Sequence, residues 1–480
     1  MGKIKRLAGE TVLYGFGSIV PRFLNFLLVR LHTDAFVPEE YSVITKLFAY
    51  VAVINTLFMF GMETAYFRFA NKPGADEKKV FNITLTVVIA ISTLLSLIIV
   101  LMAKPIAGFL DIASRPDLVI WLALIMFTDA VVAIPFARLR LQKKAIKFAF
   151  GKVFNIIIYV GLNVYFLKLM PGDTRDVGWV VLANLIANTF YIVFFARSLL
   201  SWRPLYDRQL SPETLRYAYP VMLTGLAGIT NEMFSRITLE NWLPENFYAG
   251  KSTEFALGIF GAAYKFAVLM NLAIQGFRYA AEPFFFSNAA EKNSPQLFAR
   301  VNHYFIIVCC ILLIGVSINL DILKYFLAKP AYWEGLHIVP VLLLSYLLLG
   351  VYYNFSVWFK LTDRTYYGTI ITIGGAIITV VANYLLIPIA GYEGSSWAAL
   401  LCYLGMTVAC YVLGQKFYPI PYDIAKSVAY IVVTLLIVYG VNAIEIEDQL
   451  VATGFHALVI GIYLAGIYLL ERKQFVKKRA

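Results

Sequence analysis

Charged residues make up only 15% of this sequence, where soluble globular domains carry about a quarter. With 60% hydrophobic residues beside so few charges, the chain lacks the polar surface that an ordinary water-soluble fold needs. Cysteine is scarce as well. The four present, Cys309, Cys310, Cys402 and Cys410, fall in apolar stretches without a CxxC pair, which argues against a disulfide framework and reads as packing. Histidine is equally rare, and His32, His303, His337 and His456 show no metal-ligand spacing. No connection is long enough to be a folded extramembrane domain. That absence argues against a membrane glycosyltransferase or polymerase, which presents acidic catalytic residues on a sizeable loop, so no enzyme and no catalytic residue is expected. Lys3, Lys5 and Arg6 precede an apolar stretch holding Pro21 and Arg22, without a small-residue cleavage site, so the first span is expected to stay in place.

What the sequence has is apolar length. A helix of roughly 20 apolar residues crosses the hydrocarbon layer, and such stretches lie near 11–31, 41–65, 80–102, 117–139, 147–169, 177–197 and 214–237, then near 258–284, 299–320, 336–360, 364–390, 394–416, 422–442 and 451–471. The fold class is an all-α integral membrane protein with about fourteen transmembrane helices, twelve being the rival count. Runs of this length exclude a β-barrel, whose strands are short and alternating. The 31 Tyr and 37 Phe suit both the membrane–water boundaries and a wide transport cavity. Lys and Arg gather in the termini and the even-numbered connections, as at Arg138, Arg140, Lys143, Lys144 and Lys147, while the odd-numbered ones carry acids such as Asp34, Glu39 and Glu40. Basic loops stay cytoplasmic, which places both termini on that side. The net charge of +12 does not indicate a nucleic-acid binder, because the cations sit between spans and not on one soluble face.

Sliding the sequence on itself by 219 residues brings Lys46 onto Lys265 and Glu63 onto Glu282 without a gap, with Phe58 on Phe277 and Ala70 on Ala289. Spans two and eight then correspond, and a six-span period relates two copies by an axis along the membrane normal. The expected organisation is an N-lobe over 1–212, a C-lobe over 213–418, and spans 13 and 14 with a basic cytoplasmic tail over 419–480. Two lobes facing one another suit alternating access about a midplane site.

Ionisable groups inside spans are costly, so each marks a candidate pathway. Arg22, near the middle of span one, is a candidate cavity cation; the alternative is a buried pair with Asp129 or another acid that fixes helix packing. Lys46, Lys152 and Lys265 are further candidate cavity cations, each near enough to a span end to snorkel instead. Arg278 and Glu282 are four residues apart and share a helix face, which reads either as a structural pair or as an inner gate. Glu63 with Arg68 is a looser counterpart, and Glu232 with Arg236 repeats the four-residue spacing in span seven. Asp129, isolated in low dielectric, is the candidate for a coupling proton or Na+, with Glu63, Glu232 and Glu282 as further coupling or gating acids. At least as many cations as acids lie within the spans. That balance suits an anionic substrate, and guanidinium groups grip phosphate oxygens in pairs.

The run NEMFSRITLENWLP, followed by FALGIFGAAYKFAVLMNLAIQGFRYAAEPFFFSNAAEK, resembles the seventh and eighth spans of bacterial polysaccharide and O-antigen flippases of the multidrug, oligosaccharidyl-lipid and polysaccharide exporter superfamily, nearest the Bacteroidetes type. The motif covers about residues 230–292. The resemblance implies two six-helix bundles in a V that flip an undecaprenyl-diphosphate-linked oligosaccharide to the external leaflet of the bacterial inner membrane. It also implies membrane lipids and polysaccharide assembly proteins as partners, with no cofactor beyond coupling Na+ or H+. The prenyl tail would stay in lipid, along a groove involving spans 13 and 14. Arg278, Glu282 and Pro283 match the motif of span eight and Arg236 matches the arginine closing span seven, where Ser235 departs from the acid that relatives carry. A lipid II flippase of the same fold, a multidrug exporter and a membrane polymerase or ligase are the alternatives.

Overall fold

The computed structural model of the chain describes residues 2–171, 175–289, 291, 293–444 and 446–476. Among these residues every regular element is helical. The helices are α1 (Gly2–Ala35), α2 (Pro38–Met59), α3 (Met62–Ala70), α4 (Glu77–Leu101), α5 (Ala103–Phe109), α6 (Pro116–Leu141), α7 (Ala145–Val164), α8 (Val177–Phe194) and α9 (Ala196–Leu200). They continue with α10 (Leu210–Trp242), α11 (Thr253–Asn288), α12 (Ser294–Ser317), α13 (Leu320–Leu323), α14 (Val339–Phe355), α15 (Val357–Leu361), α16 (Tyr366–Phe417), α17 (Ile424–Asn442) and α18 (Gln449–Val476).

The starts of several spans are set by acids. A helix leaves its first N–H groups without partners, and an oxygen at the preceding position satisfies them. Asp76 accepts from the Lys78 and Lys79 N–H groups at 3.0 and 3.2 Å, Asp423 from Lys426 N–H at 3.0 Å, and Asp448 from Leu450 and Val451 N–H at 2.8 and 3.0 Å. Pro38 opens α2, and Glu40 reaches back to the Val37 N–H at 3.1 Å.

Eleven helical stretches among the described residues are long and apolar enough to cross a membrane. Two further helices, α1 with 34 residues and α10 with 33, have the length. At 1.5 Å per residue a helix needs about 20 residues for the hydrocarbon core, so the 52 residues of α16 hold two crossings. Gly391 divides them, with φ 55° and ψ −133° inside an otherwise helical run. The Leu386 carbonyl lies against Gly394, whereas a straight helix would separate residues eight apart by about 12 Å. The chain turns back there, between the two stretches expected at 364–390 and 394–416.

Span two also breaks, which sequence hydropathy does not show. Phe60 and Gly61 both take positive φ, 48° and 69°, and a side chain on Gly61 would stand 2.6 Å from the Ala218 carbonyl oxygen. Only glycine combines that backbone angle with that approach.

Packing divides the chain into two compact units, Met1–Gly261 with Thr369–Cys402 and Ala262–Gly368 with Tyr403–Ala480. In the first, Phe58, Met62, Tyr66, Phe81, Leu85, Met126 and Ile134 form a core where α2, α3, α4 and α6 meet. In the second, Phe285, Phe298, Val357 and Ile420 form another, and the Phe305 ring lies over Gly350 of α14. The four cysteines are buried among such contacts as thiols outside any disulfide. Large apolar side chains stand exposed along α4 (Leu94, Leu97, Leu101), α17 (Leu436, Tyr439) and α18 (Leu458, Ile462, Leu469). Faces of this kind are stable against lipid and not against water.

Candidate functional site

Each intramembrane charge has a definite setting. In the first unit Asp129 on α6 accepts a hydrogen bond from Asn188 of α8 at 3.0 Å. Lys152 on α7 lies over the Phe136 ring at 4.2 Å and the Tyr191 ring at 5.2 Å, and its charge and that of Asp129 act on each other. Asn155 completes the set by donating to the Ala187 carbonyl at 2.8 Å and to Asn188 at 3.3 Å. The alternative reading of Arg22 as partner of Asp129 is therefore corrected. Asp129 faces α7 and α8 and finds its cation on α7, while Arg22 is exposed on α1.

Lys46 does not snorkel. It is 5% exposed, and its ammonium reaches Glu240 of α10 at 2.8 Å and Asp111 at 3.4 Å. The α10 helix closes over the route to water and supplies a carboxylate in its place. Arg236, one turn earlier on α10, is half-buried, with its guanidinium 2.9 Å from Met233 Sδ. Glu232 and Lys265 are likewise half-buried.

Two clusters lie at the ends of spans read as cytoplasmic. In the first unit Glu63 pairs with Arg140 of α6, and Arg140 stacks on Phe67 at 4.8 Å. Arg138 beside it pairs with Glu77 at 2.9 Å. The expected Glu63–Arg68 partnership gives way because residues five apart point to different faces of a helix; Arg68 lies over Tyr217 at 4.3 Å instead. In the second unit Glu282 pairs with Lys360 at 2.7 Å and with Arg278 at 3.6 Å. Arg278 sits 3.9 Å over the Tyr353 ring. A small cleft lies here, lined among others by Phe277, Phe285, Phe286 and Asn354. Arg278 Nε and Asn354 Nδ2 are buried there without a hydrogen-bond partner, so donors are available to an anion. The side chain of Pro283 lies outside the described residues, as does that of the basic tail beyond Arg472.

These two clusters correspond. The shift that superposes Glu63 on Glu282 also places Phe67 on Phe286, and Arg140 falls one residue from Lys360. In each cluster a carboxylate on one helix pairs with a cation on another beside a phenylalanine. Lys360 was not anticipated from the sequence, although extending the repeat into α6 would have found it. Glu240, Asp111 and Asn354 were missed too, because their partners lie far off in the chain. A buried Glu471, bonded to Lys426 at 2.5 Å, Tyr430 at 2.7 Å and His303 at 3.1 Å, joins α18, α17 and α12 in the second unit. Among the described residues no three His, Cys, Asp or Glu side chains come together as a metal site.

Solved structures share this architecture. A lipid II flippase, MurJ, in an inward closed conformation matches with a TM-score of 0.73 at 13% identity, over 97% of this chain and 100% of that one. An inward-facing multidrug resistance MATE family transporter of the MOP superfamily matches with a TM-score of 0.63 at 15% identity, over 91% and 100%. A MATE multidrug transporter in complex with R6G matches with a TM-score of 0.62 at 16% identity, over 87% and 96%. At such identities the likeness establishes the fold alone, an all-α multi-pass membrane architecture. No curated protein sequence matches. The family model described as "Polysaccharide biosynthesis protein" matches residues 27–276, just over half of the 480 residues, and the chain belongs to that family.

Proposed function

We propose that this protein is a flippase that carries an undecaprenyl-diphosphate-linked oligosaccharide from the cytoplasmic to the external leaflet of the bacterial inner membrane for surface polysaccharide assembly. The observation that carries the reading is the cleft in the second unit, where Arg278 and Lys360 share one carboxylate among aromatic rings. Guanidinium and ammonium groups hold phosphate oxygens, and rings hold sugar faces and isoprenoid carbons. Family membership points to the same pathway class. In this reading an N-lobe over 1–212 and a C-lobe over 213–418 rock about the substrate, with spans 13 and 14 outside the repeat. Arg22, Lys46, Lys152, Arg236, Lys265 and Arg278 supply positive potential along the route, and both termini are cytoplasmic. Asp129, held against Lys152, is the candidate carrier of a coupling proton or Na+, and no step of covalent chemistry is required.

The test is deletion of the gene in its host, with assay of surface polymer and of lipid-linked precursor by leaflet. Loss of polymer with full-length precursor accumulating on the cytoplasmic leaflet is the expected result. Unchanged polymer and precursor with raised drug sensitivity would replace this reading with a multidrug exporter. The fold likeness to a lipid II flippase favours a second reading with the same mechanism, which rescue of a lipid II flippase-depleted strain by this gene would select.

A further inference from the structure

The end of α2 read as external carries a charged cluster in which Lys46, one of the route's cations, is held by carboxylates. Lys46 and Glu240 are only 5% and 8% exposed, with Nζ 2.8 Å from Oε1. The second carboxylate oxygen of Glu240 is buried with no hydrogen-bond partner. Asp111, from the connection before α6, also reaches Lys46 at 3.4 Å. The charges of Asp111 and of Glu254, at the start of α11, both act on Glu240, and Tyr50 of α2 faces the same acids. Arg236, one turn back on α10, acts on Tyr41. One ammonium thus pairs with two carboxylates, one of them buried with an oxygen to spare, and Glu254 adds a further negative charge beside that buried carboxylate.

The elements that meet here come from different copies of the repeat. The α2 helix belongs to the first, and α10 and α11 to the second. Beside the ion pair the helices touch without clearance: a Cβ on Gly261 of α11 would stand 2.5 Å from Thr45 Oγ1, and Gly258 backs onto the backbone of Pro38. A contact so tight parts in a step and not by degrees, and the buried pair stands beside it.

We propose that Lys46 and Glu240 form a proton-releasable latch: as an ion pair they hold the external ends of the two repeat copies together, and a proton taken up by Glu240 from the external side lets them part. The proton adds to the unpartnered oxygen of Glu240, neutralises the carboxylate and leaves Lys46 to Asp111, which is exposed and can follow it into water. The inference rests on the alternating-access reading and on the orientation taken from the basic loops.

The experiment uses the full chain in proteoliposomes with a reporter cysteine, Thr45→Cys, and a membrane-impermeant maleimide outside; the native cysteines are buried. Labelling is expected to be slow near neutral pH and about tenfold faster at about pH 5.5 or in Glu240→Gln, because removing one partner of a buried pair shifts a closed–open equilibrium at least that far. Glu240→Gln should abolish the pH dependence, Lys46→Met should label as fast, and the swap Lys46→Glu with Glu240→Lys should restore slow labelling. Equal labelling in wild type, Glu240→Gln and the swap overturns the latch, as does acid acceleration that persists in Glu240→Gln. Surface polysaccharide measured in the same variants keeps the two ideas apart. Unchanged labelling with normal polymer sinks the latch alone, whereas the expected labelling in a host whose polymer and precursor never respond to deletion sinks the flippase reading alone.

Discussion

Lys152 lies 4.2 Å from the Phe136 ring with Asp129 as its opposing charge, so removing one member strands the other in a low-dielectric setting. Lys152→Met is expected to lower stability by about 1–3 kcal/mol, and Asp129→Asn with Lys152→Met by less, since the pair removed together leaves no uncompensated charge. Thermal unfolding of the detergent-purified variants checks the order. Asp207 offers a second residue-scale case. Its hydrogen bond with Lys79, then those from the Leu210 and Gln209 N–H groups, push its pKa down to about 2. The folded value lies below the unfolded value of about 4, so its contribution is present above about pH 4 and is lost as pH falls towards about 2. Hydrogen exchange at the first amides of α10 is therefore expected to stay slow at neutral pH in the wild type and to rise in Asp207→Asn. The sequence showed which charges were costly, because hydropathy alone exposes an arginine or aspartate inside an apolar run. It did not show their partners. Lys46 and Glu240 are 194 residues apart, and spacing rules reach only one helical turn.

Helices were the most legible level. The hydrocarbon thickness demands about 20 apolar residues per crossing, so α4, α6, α12 and α17 could be placed to within a few residues. Two interruptions differ. The turn at Gly391 was legible as a gap between apolar stretches, but the break at Phe60 and Gly61 was hidden because its residues are themselves apolar. Gly391 holds φ 55° and ψ −133° against Tyr248 and Phe247, a region that L-residues with side chains avoid. Gly391→Ala should cost about 1–3 kcal/mol and lower the unfolding temperature. Gly374, earlier in α16, has nothing within 4 Å of a built Cβ; Gly374→Ala, which removes backbone freedom from a helix interior, should leave the unfolding temperature unchanged or raise it.

At the scale of the whole molecule, the proposed flipping needs a site that binds its substrate and then lets it go. In the second unit Glu282 occupies the space between Lys360 and Arg278 at 2.7 and 3.6 Å, where a phosphate of a prenyl diphosphate would make the same contacts. An internal carboxylate of this kind lowers affinity, because the ligand must displace it, and speeds release, because it returns. Flux depends on that balance more than on tightness. Glu282→Gln is therefore expected to bind geranyl diphosphate about tenfold more tightly in calorimetric titration, since two cations lose their competing anion. Surface polymer should fall in the same strain and precursor accumulate. Lys360→Met should weaken binding and reduce polymer as well, so the two variants move affinity in opposite directions and flux in the same one. If Glu282→Gln left the affinity unchanged, or weakened it as Lys360→Met does, the carboxylate would be a clasp between α11 and α15 alone and the diphosphate would have to be held elsewhere.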